Sequence, residues 1–338
     1  MHMADALVSP QVGGALFVAA AGVAAYSLRK VKNDFAEYKV PLMGVMGAFV
    51  FAAQMINFTI PGTGSSGHIG GGILLAILLG PYAGFLTMAS ILVVQALFFG
   101  DGGLLALGCN IINMGLFTCF VAYPLIYKPI AQRGLTRNRI FIGALLSVVV
   151  GLQMGAFSVV METLLSGKTE LPFGTFVMLM QPIHLAIGAV EGLITGSVVA
   201  FIYQARPELL DSANDVGPGR SKSFRKVFAT LAVVTLVVGG VLSWFASSNP
   251  DGLEWAMERT AGTAELAHDG TVHSIMGEVQ EKTAFLPDYG FAGDVGDKIT
   301  QYLGTSVSGI VGGGLTLGLC ATIGMTIIHV KNKKGSTL

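Results

Sequence analysis

Two histidines carry the clearest chemistry in this chain: His2, directly after Met1, and His68, in the loop Gly62-Thr63-Gly64-Ser65-Ser66-Gly67-His68-Ile69-Gly70. A free amino terminus followed at once by histidine is a compact chelate. Its α-amine, the His2 amide nitrogen and the His2 imidazole can all bind one metal ion. The amine's reference pKa of ~7.7–8.0 makes its deprotonation by a metal inexpensive near neutral pH. One nitrogen from His68 would close a four-nitrogen, square-planar site, a geometry that favours Ni(II) or Cu(II) among divalent first-row metals. Asp5 is close enough to orient His2 as an acceptor, or to cap the helix that follows. Asn57 and Ser66 flank the loop, whose glycines let the backbone bend around an ion. They can hydrogen-bond the imidazoles, close the loop, or simply cap helix ends. The bland alternative is an accidental second-position histidine and an unrelated loop histidine.

Further along, His184 and Glu191 share one apolar segment at a spacing that puts them on one helix face, two turns apart. Ionisable groups inside a membrane are functional candidates by default. Glu191 is expected towards the cytoplasmic side, away from His68, as an interhelical or coupling residue. Gln95, Asn110 and Asn113 read as interhelical hydrogen-bonding residues. His268 and His273 fall in an acidic segment and read as surface histidines. Cys109, Cys119 and Cys320 form no CxxC pair. With no phosphate loop, no HExxH and no GxSxG, neither an ATPase nor a hydrolase is supported.

These residues must be positioned by a membrane bundle. Of 338 residues, 52% are hydrophobic and 12% charged, against about 25% charged in soluble domains. Several uncharged runs exceed the ~20 residues that span a bilayer as a helix. The fold class is therefore an all-α, polytopic membrane protein. Nine apolar segments are expected, at 8–28, 40–58, 69–80, 82–99, 104–127, 139–165, 173–203, 226–246 and 306–329. With the amino end outside and the carboxyl end in the cytoplasm, 16 of the 20 Lys and Arg fall in or beside inside loops, as the positive-inside rule requires. Met1 and His68 then share the outside face. Residues 1–205 are expected to form a seven-helix, metal-binding core, and 206–225 a cytoplasmic linker. Residues 226–338 would form two further helices around an outside segment, 247–305, with ten Asp and Glu against three Lys and Arg. The stripe Gly44, Ala48, Ala52 permits close helix packing, within the core or against a partner.

Met1-His2 with Asp5 and Pro10, Asn57 and the His68 loop resembles the CbiM/NikM family, the membrane substrate-capture components of cobalt/nickel energy-coupling-factor transporters. The likeness covers roughly residues 1–205. Pro250-Asp251-Gly252-Leu253-Glu254 resembles the start of the small two-helix accessory component of the same systems. The resemblance implies metal ligation by the Met1 amine, the His2 amide and imidazole, and the His68 imidazole. It also implies a transmembrane coupling subunit and two cytoplasmic ATPase subunits as partners, with the accessory part supporting metal loading. Where many members begin Met-His-Ile-Pro-Asp-Gly, this chain has Met3-Ala4-Asp5-Ala6, so the choice between nickel and cobalt stays open. The expected function is Ni(II)/Co(II) capture and uptake across the cytoplasmic membrane, with the metal as cargo and no cofactor, enzyme activity or nucleic acid. The rivals are a self-sufficient secondary transporter or channel, which needs a polar pathway with broken helices near the midplane, and a metal-dependent membrane enzyme, which needs an open coordination position.

Overall fold

The computed structural model describes residues 2–34, 39–211, 224–267, 270–293 and 298–335. Met1, His268 and most of the expected linker lie outside them. The helices are α1 (Pro10–Asp34), α2 (Lys39–Gln54), α3 (Gly72–Leu79), α4 (Pro81–Phe99), α5 (Leu107–Ala131), α6 (Arg137–Leu165), α7 (Phe173–Ala205), α8 (Phe224–Gly240), α9 (Gly252–Ala261), α10 (Thr271–Thr283) and α11 (Lys298–Gly335). Six of them are long and apolar enough to cross a membrane, and α2 and the Phe228–Gly240 part of α8 are shorter apolar helices. Large apolar side chains such as Val18, Leu125, Ile142, Met178 and Leu193 point outward, as a bilayer requires of a polytopic helical protein.

One expected span is corrected. The run 69–80 yields only the eight-residue α3, about 12 Å long at 1.5 Å per residue, too short for a hydrocarbon core of roughly 30 Å. All eight residues are buried. The chain enters α3 from an irregular stretch after a two-strand hairpin, β1 (Phe58–Ile60) paired antiparallel with β2 (Ser65–Gly67). Gly71, at φ 79°, makes the turn into α3 against Val50, a backbone conformation that L side chains rarely adopt. At Gly80-Pro81 the chain reverses, and α4 packs back along α3, where Gly84 lies against the backbone of Leu75 and Ala76. The stretch 65–71 that follows the hairpin turn therefore dips into the bundle, while Pro61, Gly62 and Gly64 stay exposed.

The small-residue stripe of α2 packs inside the chain. Gly44 meets Leu317, Ala48 lies beside Gly313, and Ala52 touches Gly239. The two helices flanking the acidic segment, α8 and α11, thus dock on α2. Between them, residues 247–267 and 270–293 fold over one end of the bundle as α9, α10 and a short turn, Pro287–Tyr289. A folded cover, not a solvated acidic loop, occupies this end.

Candidate metal centre

The amino-terminal segment is threaded into the bundle by main-chain hydrogen bonds. Met3 is fully buried. Its N–H donates to Asn110 Oδ1 at 2.8 Å, and its carbonyl accepts from Asn110 Nδ2 at 3.2 Å and Gly103 N at 2.9 Å. Asn113 donates to Glu162 Oε2 at 2.9 Å, and Ser158 to Glu162 Oε1 at 3.0 Å. At the start of α1, Ser9 Oγ accepts from Val12 N at 3.3 Å, and Asp5 reaches further. Its Oδ1 accepts from Ala106 N at 3.0 Å, in the turn before α5. Gly103 is required there, because a Cβ would stand 1.8 Å from that carboxylate oxygen.

His2 lies against His68, with ring centroids 5.0 Å apart and planes at 21°. The His2 Nδ1 is 3.3 Å from Asp101 Oδ1, and its side chain is 7% exposed. Its Nε2 is buried with no hydrogen-bond partner among the described residues. The His68 Nδ1 is 3.1 Å from the Ile69 carbonyl oxygen. Burial lowers the His2 imidazole to about 3 and the His68 imidazole to about 4, so both rings are neutral, as nitrogen ligands must be. A cavity of about 470 Å³ opens beside them, lined in part by Asp101, Asp251, Glu254, Asp288 and Tyr289. Among the described residues, no three His, Cys, Asp or Glu side chains form a ready-made metal cage.

Glu191 is not remote from His68. Its two carboxylate oxygens accept the N–H groups of Gly70 and Gly71, each at 2.8 Å, capping the start of α3. The reason is the shortness of α3, which brings its amino end down to the level of Glu191. His184 also joins this region. Its Nδ1 is 2.8 Å from the Met180 carbonyl oxygen, and its ring lines a cavity of about 20 Å³ with Gly67, His68, Asp251 and Gly252, room for about one water.

Asn57 and Ser66 hold the cover in place. Ser66 Oγ donates to the Asn249 carbonyl and Ser66 N to the Pro250 carbonyl, both at 2.8 Å; the Asn57 carbonyl accepts from Ser247 N at 2.7 Å. No bond from either side chain to an imidazole occurs among the described residues. Asp251 and Glu254 form a reciprocal capping box at the start of α9. On the opposite side, His273, expected on the surface, is buried with Nε2 2.9 Å from the Val8 carbonyl oxygen. Gln280 Nε2 donates to the carbonyls of Ala96 at 2.9 Å and Gly102 at 2.7 Å. Burial raises Asp101, whose Oδ2 accepts a short hydrogen bond from the Tyr289 hydroxyl.

Asp101 and Tyr289 were not singled out from sequence. Asp101 carried a signal: it is a lone acid among glycines, Gly100-Asp101-Gly102-Gly103, between two apolar segments on the same side as His68. Tyr289 carried none, because its partners lie far away in the chain.

This is a polytopic helical membrane protein with a half-buried pair of neutral imidazoles beneath a folded cover. The pattern of the CbiM family, described as the cobalt uptake substrate-specific transmembrane region, matches residues 2–209, and that of the PDGLE domain matches 225–329. The chain belongs to the CbiM family of metal transport proteins, with a PDGLE domain fused behind it. It is 32% identical to a putative fused nickel transport protein, NikMN, of Archaeoglobus fulgidus, over 94% of this chain and 96% of that one. It is 30% identical to a probable fused nickel transport protein, LarMN, of Lactiplantibacillus plantarum, over 87% and 90% respectively. A solved transition metal transporter, 32% identical, superposes with a TM-score of 0.54 over 62% of this chain and 95% of its own.

Proposed function

We propose that this chain captures Ni(II) or Co(II) outside the cell, as the substrate-specific component of an energy-coupling-factor ABC transporter. A membrane coupling subunit and two ATPase subunits would drive release of the ion inside. The ion is cargo, held by the Met1 amine, the His2 amide nitrogen and imidazole, and the His68 imidazole. Residues 1–205 form the capture unit and 226–338 the accessory unit. The amino end and the cover face outward, and the carboxyl end lies in the cytoplasm.

The observation that supports this most is the 5.0 Å separation of the two imidazole rings. With metal–nitrogen bonds of ~2.0 Å, two imidazoles in adjacent positions on a square place their centroids about 4.5 Å apart, and in opposite positions about 6.4 Å. The amine, amide and ring nitrogens of Met1-His2 take three consecutive corners. The fourth corner is then necessarily adjacent to the His2 ring, and 5.0 Å fits that arrangement. Nickel is preferred because a square-planar four-nitrogen set suits it; the two fused relatives are named for nickel transport, while the family pattern is named for cobalt uptake.

One feature favours the rival reading of a self-sufficient transporter: α3 is a broken half-helix that begins within the bundle. Its amino end, however, is already occupied by Glu191, which leaves no free positive end for a substrate. The test is nickel uptake into proteoliposomes by the lone chain and by the chain co-purified with its partners. Uptake only with partners and ATP is expected. Uptake by the lone chain down a nickel gradient overturns the assignment.

A further inference from the structure

The tyrosine of the cover sits where two hydrogen-bonded arms meet. One arm runs from the Tyr289 hydroxyl to Asp101, whose other oxygen faces His2 Nδ1 at 3.3 Å. The other begins at Gln95 Nε2, which donates to the Tyr289 oxygen at 3.1 Å and to Gln54 Oε1 at 2.9 Å. Gln54 in turn donates to the Gly70 carbonyl at 2.7 Å, two residues beyond His68. The ring of Tyr289 is fixed independently of its hydroxyl, stacked on Phe99 at 5.1 Å and edge-on to Phe51 at 6.1 Å. Its backbone has φ 59° and that of Asp288 φ 49°, a conformation uncommon outside glycine that persists only where the surroundings enforce it.

The position of Asp101 gives this arrangement a chemical consequence. Nδ1 is the ring nitrogen that closes a six-membered chelate with the His2 amide nitrogen, so it is the ring atom the ion must reach. Two donors bound to one ion at right angles, each ~2.0–2.1 Å from it, stand about 2.9 Å apart. Asp101 Oδ1 and His2 Nδ1, at 3.3 Å, need to shift by only a few tenths of an ångström to share an ion. Both line the large cavity, as does Asp288. A divalent ion arriving through that cavity meets a carboxylate oxygen beside the chelating nitrogen, in a half-buried place less screened than open water.

We propose that Asp101 is the receiving carboxylate of this metal site, binding the incoming divalent ion and passing it to His2, and that the Tyr289 hydroxyl of the cover aims it. This rests on the metal-site reading above. Asp101 touches the ion during loading and is not one of its four final nitrogen donors. The cover thereby contributes a specific group to capture, in addition to covering the site.

The test is stopped-flow association of Ni(II) with the full-length chain in detergent, together with the absorption spectrum of the loaded protein. Asp101→Asn, nearly isosteric, is expected to slow association about 10-fold or more while the final nickel spectrum stays that of the parent. Asp101→Glu should restore most of the rate, because it keeps the charge. Tyr289→Phe keeps the stacked ring and should slow association by a smaller factor, with no further loss when it is combined with Asp101→Asn. Asp288→Asn removes a charge from the same cavity and should have a lesser effect. Parent-like association by Asp101→Asn, equal slowing by Asp288→Asn, or additive effects of Asp101→Asn and Tyr289→Phe would each overturn the proposal. His68→Ala separates the two readings, because it should abolish the parent nickel spectrum. If it does not, the metal site itself is misassigned and Asp101 falls with it.

Discussion

Glu191 accepts the N–H of Gly70 at 2.8 Å, two residues after His68. A second bond to Gly71 completes the cap on α3. A helix in the middle of the chain thus holds the loop that presents one of the two paired imidazoles.

Replacing Glu191 by Ala strands two N–H groups in a buried place, each costing about 1–3 kcal/mol. The expected result is a lower thermal midpoint and a weaker nickel affinity, because the His68 loop loses its anchor. Glu191→Gln keeps one acceptor oxygen and should fall between the two. Thermal unfolding in detergent with parallel calorimetry decides the matter. An alanine variant as stable as the parent would mean that the cap carries no energy.

The chelate makes a demand on the first atom of the chain. A short extension before Met1, free of histidine, turns the amine into an amide and should abolish nickel binding. The same extension after Leu338 should leave binding intact. Equal affinity in both forms removes the amine from the proposed donor set.

Protons should act in two separate ranges, on metal binding in one and on folding in the other. Between pH 8 and 6 the affinity falls because the amine, with a reference pKa of ~7.7–8.0, and the His2 amide must be stripped. The imidazoles add nothing there, being already neutral at about 3 and 4. Their effect is on folding. The unfolded histidines take up protons below ~6.5 while the folded ones do not, so the unfolded state binds more protons and stability falls as pH drops from 6.5 towards 4. The thermal midpoint of the metal-free protein should follow that slope, and His68→Ala should flatten it. An identical slope in parent and variant would contradict the neutral His68.

Gly252 fits between the cover and α7. A Cβ there would stand 2.8 Å from Ile187 Cδ1 and 3.2 Å from His184 Cε1. Gly252→Leu should lift α9 from the bundle, expose Trp255 to added protease and slow nickel uptake, while the core helices keep their thermal midpoint. Unchanged proteolysis would show that the contact yields without moving the cover.

The order of apolar segments was readable because long uncharged runs have one stable solution in a bilayer. The meeting of His2 with His68 was readable too, since the charge bias put both on one face. The shortness of α3 was hidden inside an apolar run, although Gly70-Gly71-Gly72 marks where a helix would be hard to start. Glu191 was misplaced for the same reason: expected towards the cytoplasmic side and away from His68, it is reached by the Gly70 and Gly71 backbone because α3 is short. Asp101 and Tyr289 meet only through tertiary packing, and no local period reports such a pairing. The stretch from Pro250 to Glu254 was legible as a family motif, but its capping box and its place against His184 were not.

The docking of α8 and α11 on the small-residue stripe of α2 has a kinetic consequence. Because the cover belongs to the same polypeptide, its effective concentration over the site is set by the chain and does not depend on how much partner the cell makes. Weak individual contacts, such as those of Gln280, Ser66 and Tyr289, then suffice to keep it seated. Capture by this fused protein should therefore be insensitive to its own dilution.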